Sequence, residues 1–287
     1  MAIAEKHQNS AMSGPVQFCV AISEEVLGSS APVPIQGGLI NALKQASELG
    51  FTAVEIHIRN PRQLDIDAIA DATEKFGISI AAVGTGLENT LNGLILTSPD
   101  AQSRRFASDR YHEHIDLASR FGATVFVGLC RGSAPTEQSR GEYLDRLTSE
   151  LIPLAEYAEK RNVTLSVEPI VSSMTNLLNT TAETLEYLGR SGLEPVRLLL
   201  DTYHMYHEDP DIIDAFRMCK GRIEHIHISD SDRRYPGSGK VDFAAVGASL
   251  IETGYDKAVS LEIKPDPDGL TAASAGLDWM RSIWSEG

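Results

Sequence analysis

Leu-Leu-Leu-Asp-Thr-Tyr-His, residues 198–204, decides the fold. Three leucines make a short strand core, and a carboxylate stops it at Asp201. The same design recurs three times in the second half of the chain. Leu-Ser-Val-Glu-Pro (165–169) stops at Glu168, Ile-Glu-His-Ile-His-Ile-Ser-Asp-Ser (223–231) carries His227, and Ala-Val-Ser-Leu-Glu-Ile-Lys (258–264) carries Glu262. A buried strand tip does not tolerate an unpaired carboxylate. Four polar tips on four successive strands therefore call for a shared partner, and a divalent cation held by three carboxylates and one imidazole is the economical choice.

Outward from these strands the chain alternates apolar strands with amphipathic helices. Strands are expected at 16–22, 53–58, 79–85, 124–129, 164–168, 197–201, 224–229 and 259–263. Helices are expected at 39–49, 65–76, 103–121, 143–160, 182–188, 210–219, 243–253 and 272–284. Gly50, Gly77, Gly122 and Gly254 stand where a helix gives way to the next strand, a position that favours the left-handed conformation. Eight βα units in strict order predict an α/β fold, a closed (β/α)8 TIM barrel. A doubly wound sheet is the weaker reading, because no Gly-rich phosphate loop follows the first strand. The 287 residues suit one barrel domain over 14–287, since such barrels run to about 250 residues. Residues 1–13, polar and without an apolar core, read as a disordered tail rather than a secretory signal.

The strand period of two puts Ser166 with Glu168, Leu199 with Asp201, His225 with His227, Ser260 with Glu262, and Glu55 with His57. In each pair the second member lies nearer the C-terminal mouth, where barrel enzymes gather their chemistry. His204 and Arg233 are expected in loops over that mouth, His204 as a donor to a substrate oxygen and Arg233 as a planar fork for an oxyanion or hydroxyl. Arg131, after the fourth strand, and His57 are further candidate substrate contacts. His225 reads as a core histidine. His112, His114 and His207 read as solvated, and Trp279 and Trp284 as packing residues or part of a subunit contact in a homo-oligomer.

Composition narrows the function. A net charge of −15 repels polyanions over most of the surface, against nucleic-acid binding. Hydrophobic residues are 42% and charged residues 23%, ordinary for a soluble globular protein. No run approaches the roughly 18 apolar residues of a membrane span. Cys19, Cys130 and Cys219 are odd in number and unpaired in spacing, which predicts a reducing, cytoplasmic setting and no thiolate metal site.

Glu168-Pro169, Asn176 to Thr180, Asp201 to Met205, His227 to Arg234, Gly237-x-Gly239-x-x-Asp242 and Glu262 together resemble the xylose-isomerase-like barrels, the sugar phosphate isomerases and epimerases. The likeness is greatest to the ketose 3-epimerase and hydroxypyruvate isomerase branch. The resemblance implies one divalent ion, Mn2+ before Mg2+ or Co2+, on Glu168, Asp201, His227 and Glu262. It implies Glu168 and Glu262 as the acid/base pair acting through an enediolate, and a sugar or sugar-acid substrate touched by His204 and Arg233. The sequence departs from that branch at one place. Where the branch reads Glu-Pro-x-Asn-Arg-x-Glu-Thr-Asn, this chain has Val171-Ser172 for Asn-Arg and Met174 for the second Glu. Met174 thus stands at an expected substrate-binding position. The alternative expectation is a metal-dependent lyase, a decarboxylase or dehydratase of an oxo-sugar acid or inosose. A DNA-repair endonuclease on this barrel would need extra histidine ligands, among them an Asp-x-His in the seventh loop, where this chain has Lys240-Val241-Asp242.

Overall fold

The computed structural model describes residues 16–284; the expected tail at 1–13 lies outside them. The strands are β1 (Gln17–Ser23), β2 (Ile35–Gln36), β3 (Ala53–His57), β4 (Ser79–Gly84), β5 (Thr124–Val127), β6 (Leu165–Val167), β7 (Arg197–Asp201), β8 (Ile223–Ile228) and β9 (Ala258–Leu261). β1 and β3 to β9 pair in parallel in chain order, and β1 pairs back onto β9. Phe18 lies opposite Val259 at that seam. The result is a closed eight-stranded barrel. The two-residue β2 adds outside it, pairing with the end of β1 through Ile22 and Ile35.

The helices are α1 (Leu39–Leu49), α2 (Ile66–Phe76), α3 (Gly86–Asn92), α4 (Ala101–Phe121), α5 (Arg140–Glu159), α6 (Thr181–Tyr187), α7 (Thr202–Glu208), α8 (Ile212–Met218), α9 (Phe243–Thr253) and α10 (Gly269–Trp284). Asp65, Asp100, Thr180 and Asp242 cap α2, α4, α6 and α9, each side chain accepting a first-turn N–H. Such caps satisfy donors that a helix start otherwise leaves open. Gly77 and Gly122 close α2 and α4 with φ of 62° and 65°. Two helices went unread in the sequence. α3 and α7 are seven residues each, too short for periodicity to separate from loop. His204 therefore sits on α7 rather than in a loop.

Strand alternation sorts the side chains into two environments. Val54, Ile56, Leu198, Leu200, Ile226 and Leu261 point outward into one continuous apolar layer beneath the helices. Trp279 and Trp284 pack against this layer half-buried. The inward face is different. Small residues, Cys19, Ala53 and Ala258, fill its lower end, and Ala82, Phe126 and Leu199 its middle. Above and between them lie Glu55, His57, His225, His227, Glu168, Asp201 and Glu262, all buried. No helix among the described residues is long and apolar enough to cross a membrane.

Candidate active site

Four strand ends deliver the expected cluster. Ligand atoms of Glu168, Asp201, His227 and Glu262 all lie within 4.8 Å of one another. Register explains it: Asp201 pairs with His227, and His227 with Ser260, two residues before Glu262. His227 Nδ1 is 3.4 Å from Glu262 Oε2, 3.5 Å from Glu168 Oε1 and 3.6 Å from Asp201 Oδ2. It is a buried nitrogen with no hydrogen-bond partner, in a position where unsatisfied polar atoms are costly.

The other nitrogen of that ring explains why. His227 Nε2 donates to Glu55 Oε2 at 2.8 Å. The same carboxylate accepts from His225 Nε2 at 2.6 Å and, through Oε1, from His57 Nε2 at 2.5 Å. A carboxylate on one imidazole nitrogen fixes the ring and aims the other nitrogen's lone pair, the usual outer partner of a metal-binding histidine. The open Nδ1 among three carboxylate oxygens thus fits an oxygen-preferring divalent cation better than a closed tetrahedral zinc. The sequence pairs Glu55 with His57 as a candidate for lining the pocket and does not mark it as a partner of His227; here it is the hub. His225 is a satisfied core histidine, as expected.

Electrostatics divide the carboxylates. Burial raises Glu168, and its neighbours Glu262 and Asp201 raise it further against the pull of His227. Burial would also raise Glu262 and Asp201, yet Arg233 and His227 outweigh it and hold Glu262 below the usual range. Asp201 is held lower still, by Arg233, His204 and His227. Without an ion His227 goes up: burial opposes its charge, Glu55 and Glu262 prevail, and a cation at the site would take the place of the Nδ1 proton.

Arg233 donates to Asp201 Oδ2 at 2.5 Å and also to Glu262 Oε2, with its guanidinium 4.8 Å from the Tyr203 ring. Its φ is +66°, a strained conformation for a residue other than glycine. The loop enforces it. Arg233 N–H donates to Asp230 O and Lys264 N–H to Arg233 O, both at 2.8 Å. Asp230 accepts the N–H groups of Ser231, Gly237 and Val241 at 2.7 to 3.0 Å. A Cβ at Gly239 would meet Asp230 Oδ1 at 2.4 Å. The Gly237-x-Gly239-x-x-Asp242 stretch is thus the scaffold that presents Arg233, with Asp242 starting α9.

His204 is buried and its pKa is pushed down to about 3, by burial first, so the ring is neutral. Its Nδ1 accepts from Val171 N–H at 3.3 Å. The proton is therefore on Nε2, which lies 3.8 Å from Glu168 Oε1 and 3.9 Å from Asp201 Oδ2. His57 is brought to the same cavity, 3.8 Å from Glu262 Oε1. Glu168, Glu262, His57, His204, Arg233 and Met174 all line one cavity of about 480 Å3.

Arg131 is a correction. It does not line the cavity. Its side chain is fully buried and donates to the backbone carbonyls of Glu168 and Leu178. A 3-10 turn at Leu129–Arg131 rotates it beneath the loop after β6, so it holds that loop rather than a substrate. Asn176 and Asn179 help it, Asn176 pairing both ways with the Ala134 backbone and Asn179 donating to Ile170 O and Thr175 O. His114 is a second correction. It is fully buried, with Nε2 3.2 Å from Glu88 Oε1.

Known proteins agree with this architecture. Residues 43–283 match the family described as xylose isomerase-like TIM barrel. The chain belongs to that family. Within the xylose isomerase-like barrels it is 30% identical over 233 residues to an L-ribulose 3-epimerase of Mesorhizobium japonicum, covering 79% of this chain and 76% of that one. It is 28% identical over 259 residues to a 3-dehydro-D-guloside 4-epimerase of Escherichia coli, covering 85% and 94%. A solved structure of an L-ribulose 3-epimerase has the same fold, with a TM-score of 0.78 at 24% identity over 94% of this chain and 95% of that one. The named relatives are sugar epimerases, and this chain is an enzyme of that broad kind. Where it departs from the usual pattern of these barrels, Ser172 N–H and Oγ donate to Glu208 Oε1 at 2.7 Å. Met174 is 51% exposed on the cavity wall.

Proposed function

We propose that the protein is a divalent-metal-dependent epimerase or isomerase of a small keto sugar, working through an enediolate. The observation that carries this is the open His227 Nδ1, fixed by Glu55 and surrounded by Glu168, Asp201 and Glu262 at 3.4 to 3.6 Å. Those four residues would hold the ion, with Mn2+ the first candidate. When bound, it supplies Lewis-acid polarisation of a carbonyl, which acidifies the neighbouring C–H.

The protein's own groups perform the proton transfers. Glu262, held ionised by Arg233, is the first base and takes the proton from the carbon beside the carbonyl. The electron pair left behind forms the enediolate. Glu168, raised by burial, returns a proton to the opposite face, inverting that carbon. If one carboxylate serves both carbons instead, the product is the aldose–ketose isomer. His204 Nε2–H donates to a substrate oxygen, and the Arg233 guanidinium steadies developing negative charge.

The test is proton NMR in deuterated water on Mn2+-loaded protein across a panel of keto sugars, with metal content measured beside it. Deuterium entering next to the carbonyl at unchanged composition is the expected result. Loss of water or carbon dioxide would replace this reading with a lyase. No exchange on any keto sugar by the fully loaded protein would remove it.

A further inference from the structure

A neutral His204 ring can carry its proton on either nitrogen, and only one choice serves the reaction proposed above. Nε2 lies 3.8 Å from Glu168 Oε1 and 3.9 Å from Asp201 Oδ2, so a proton there is the one a substrate oxygen meets. In a neutral imidazole the tautomer is set by the hydrogen bond on the other nitrogen. Here that bond runs from Val171 N–H to Nδ1, at 3.3 Å. It is long for a hydrogen bond. Its hold on the ring therefore depends on how firmly the chain at Val171 is kept in place.

The next residue keeps it there. Ser172 N–H and Oγ–H both donate to Glu208 Oε1, each at 2.7 Å. Glu208 stands four residues after His204 in α7, a spacing that puts both side chains on one helix face. Two acceptors on that face, His204 Nδ1 and Glu208 Oε1, thus receive two consecutive N–H groups of the loop after β6. α7 is itself fixed to the barrel. Thr202 Oγ1 donates to Ser229 O at 2.7 Å and accepts from Ser229 N–H at 3.0 Å. On the other side of Val171, Ile170 N–H donates to Leu178 O at 3.2 Å, and Ile170 O accepts from Asn179 Nδ2 at 2.7 Å. Val171 is caught between these two tethers. Asp209 makes a separate pair of bonds at the far end of the loop, accepting Thr181 N–H at 2.9 Å and Oγ1–H at 2.5 Å.

We propose that Ser172 and Glu208 are positioning residues, whose clasp holds Val171 N–H on His204 Nδ1 and so keeps the His204 proton on Nε2, facing substrate. Ser172 stands at a departure from the ketose 3-epimerase pattern, which has arginine there. The clasp is thus a device of this chain's own sequence. Its effect on turnover rests on the epimerase reading above; its effect on the ring does not.

The test reads the ring directly. Proton–nitrogen correlation spectra of the full chain, labelled with 15N-histidine and loaded with Mg2+ to avoid the paramagnetism of Mn2+, report which nitrogen of each imidazole is protonated. Loss of one signal set in His204→Asn identifies His204 among the eight histidines. Wild type is expected to show the Nε2–H tautomer alone. Glu208→Ala should show both tautomers, with kcat lower by about 10- to 100-fold on any keto sugar the wild type turns over and KM less affected. Glu208→Gln, whose amide oxygen can accept both bonds, should restore the single tautomer and most of kcat. Ser172→Ala loses the hydroxyl and keeps the N–H, so it should move the same way by less; it carries the test if Glu208→Ala does not fold. Thr181→Val, at the far end of the loop, should lower Tm and leave the tautomer alone. A Nδ1–H ring in the wild type overturns the proposal, as does a single Nε2–H tautomer that persists in Glu208→Ala and Ser172→Ala. So does an equal tautomer change in Thr181→Val, which would make the clasp a general support of the loop. If the tautomer mixes while kcat stays normal, the positioning role falls and the epimerase reading stands. If the tautomer responds as expected and the wild type exchanges deuterium into no keto sugar, the epimerase reading falls and the clasp stands.

Discussion

Glu262 and Glu55 are two buried carboxylates with different surroundings, Glu262 on the cavity and Glu55 beneath it among three histidines. In the proposed reaction Glu262 is the base, and its replacement by Gln keeps the shape while removing that function. General acid–base groups contribute about 10² to 10⁴ in rate. Glu262→Gln is therefore expected to lose at least that much, and metal content must be measured with it; a fully loaded variant with near-normal turnover would end the assignment. Glu55 does not line the cavity. It holds His57, His225 and His227 by hydrogen bonds of 2.5 to 2.8 Å. Outer partners of this kind change metal affinity by about 10- to 100-fold when removed. Glu55→Gln should weaken Mn2+ binding by that range in a competitive chelator titration, and an unchanged Mn2+ dissociation constant would make the hub structural. The four candidate ligands were legible because each is a polar group set in, or at the end of, a short apolar run. The hub was only half legible, because Glu55 and His57 show the same pattern and nothing in one strand tells which group turns toward substrate. Arg131 was misread because adjacency to a strand end says how near the mouth a residue lies, not which way a turn points it.

Elements carry the next layer. α3 forms part of the cavity wall and is tied to α4 by a buried cluster: Glu88 Oε1 meets His114 Nε2 and Arg110 Nε, each at 3.2 Å, and Asn92 donates to Glu88 Oε2 at 2.7 Å. Burial lowers the His114 pKa, Arg110 lowers it further, and Glu88 and Glu113 only partly oppose them. The folded value lies below that of the unfolded chain, about 6.5. As pH falls the unfolded state therefore takes the proton first. The stability His114 contributes is complete above about 6.5 and is lost as pH drops toward the folded value. His114→Gln keeps a donor for Glu88 and does not titrate. The gap in Tm between wild type and His114→Gln should narrow from pH 7.5 to pH 5; a constant gap contradicts the mechanism. The eight barrel strands and eight of the helices were readable from alternation and from glycine punctuation. α3, α7 and the segment from Leu27 to Val33 were not. Asp201 to Glu208 contains no glycine or proline to mark a boundary, and the shape of the Leu27 to Val33 segment depends on one side chain, Gln36, reaching back over eight residues.

At the scale of the molecule, closure of the ring positions everything described above. All four candidate ligands come from β6 to β9 or their ends, and so from the later part of the chain. The carboxylate that orients their imidazole comes from β3. Glu55 and His227 are 172 residues apart in sequence, yet they lie within one hydrogen bond. Contacts of such separation carry a large loop-closure cost and are expected to form late. The centre is therefore a witness to the history of folding as well as its product. Refolded from denaturant with Mn2+ present, the chain should recover helical circular dichroism before it takes up the ion. Uptake is expected in the same phase as closure of the ring, where β1 meets β9. Ion capture in the earliest phase would mean the later strands assemble a competent cradle without the earlier half. A cell synthesising this protein from its N-terminus would then gain an enzyme only at the last turn of the ring, and the metal would act as its timestamp.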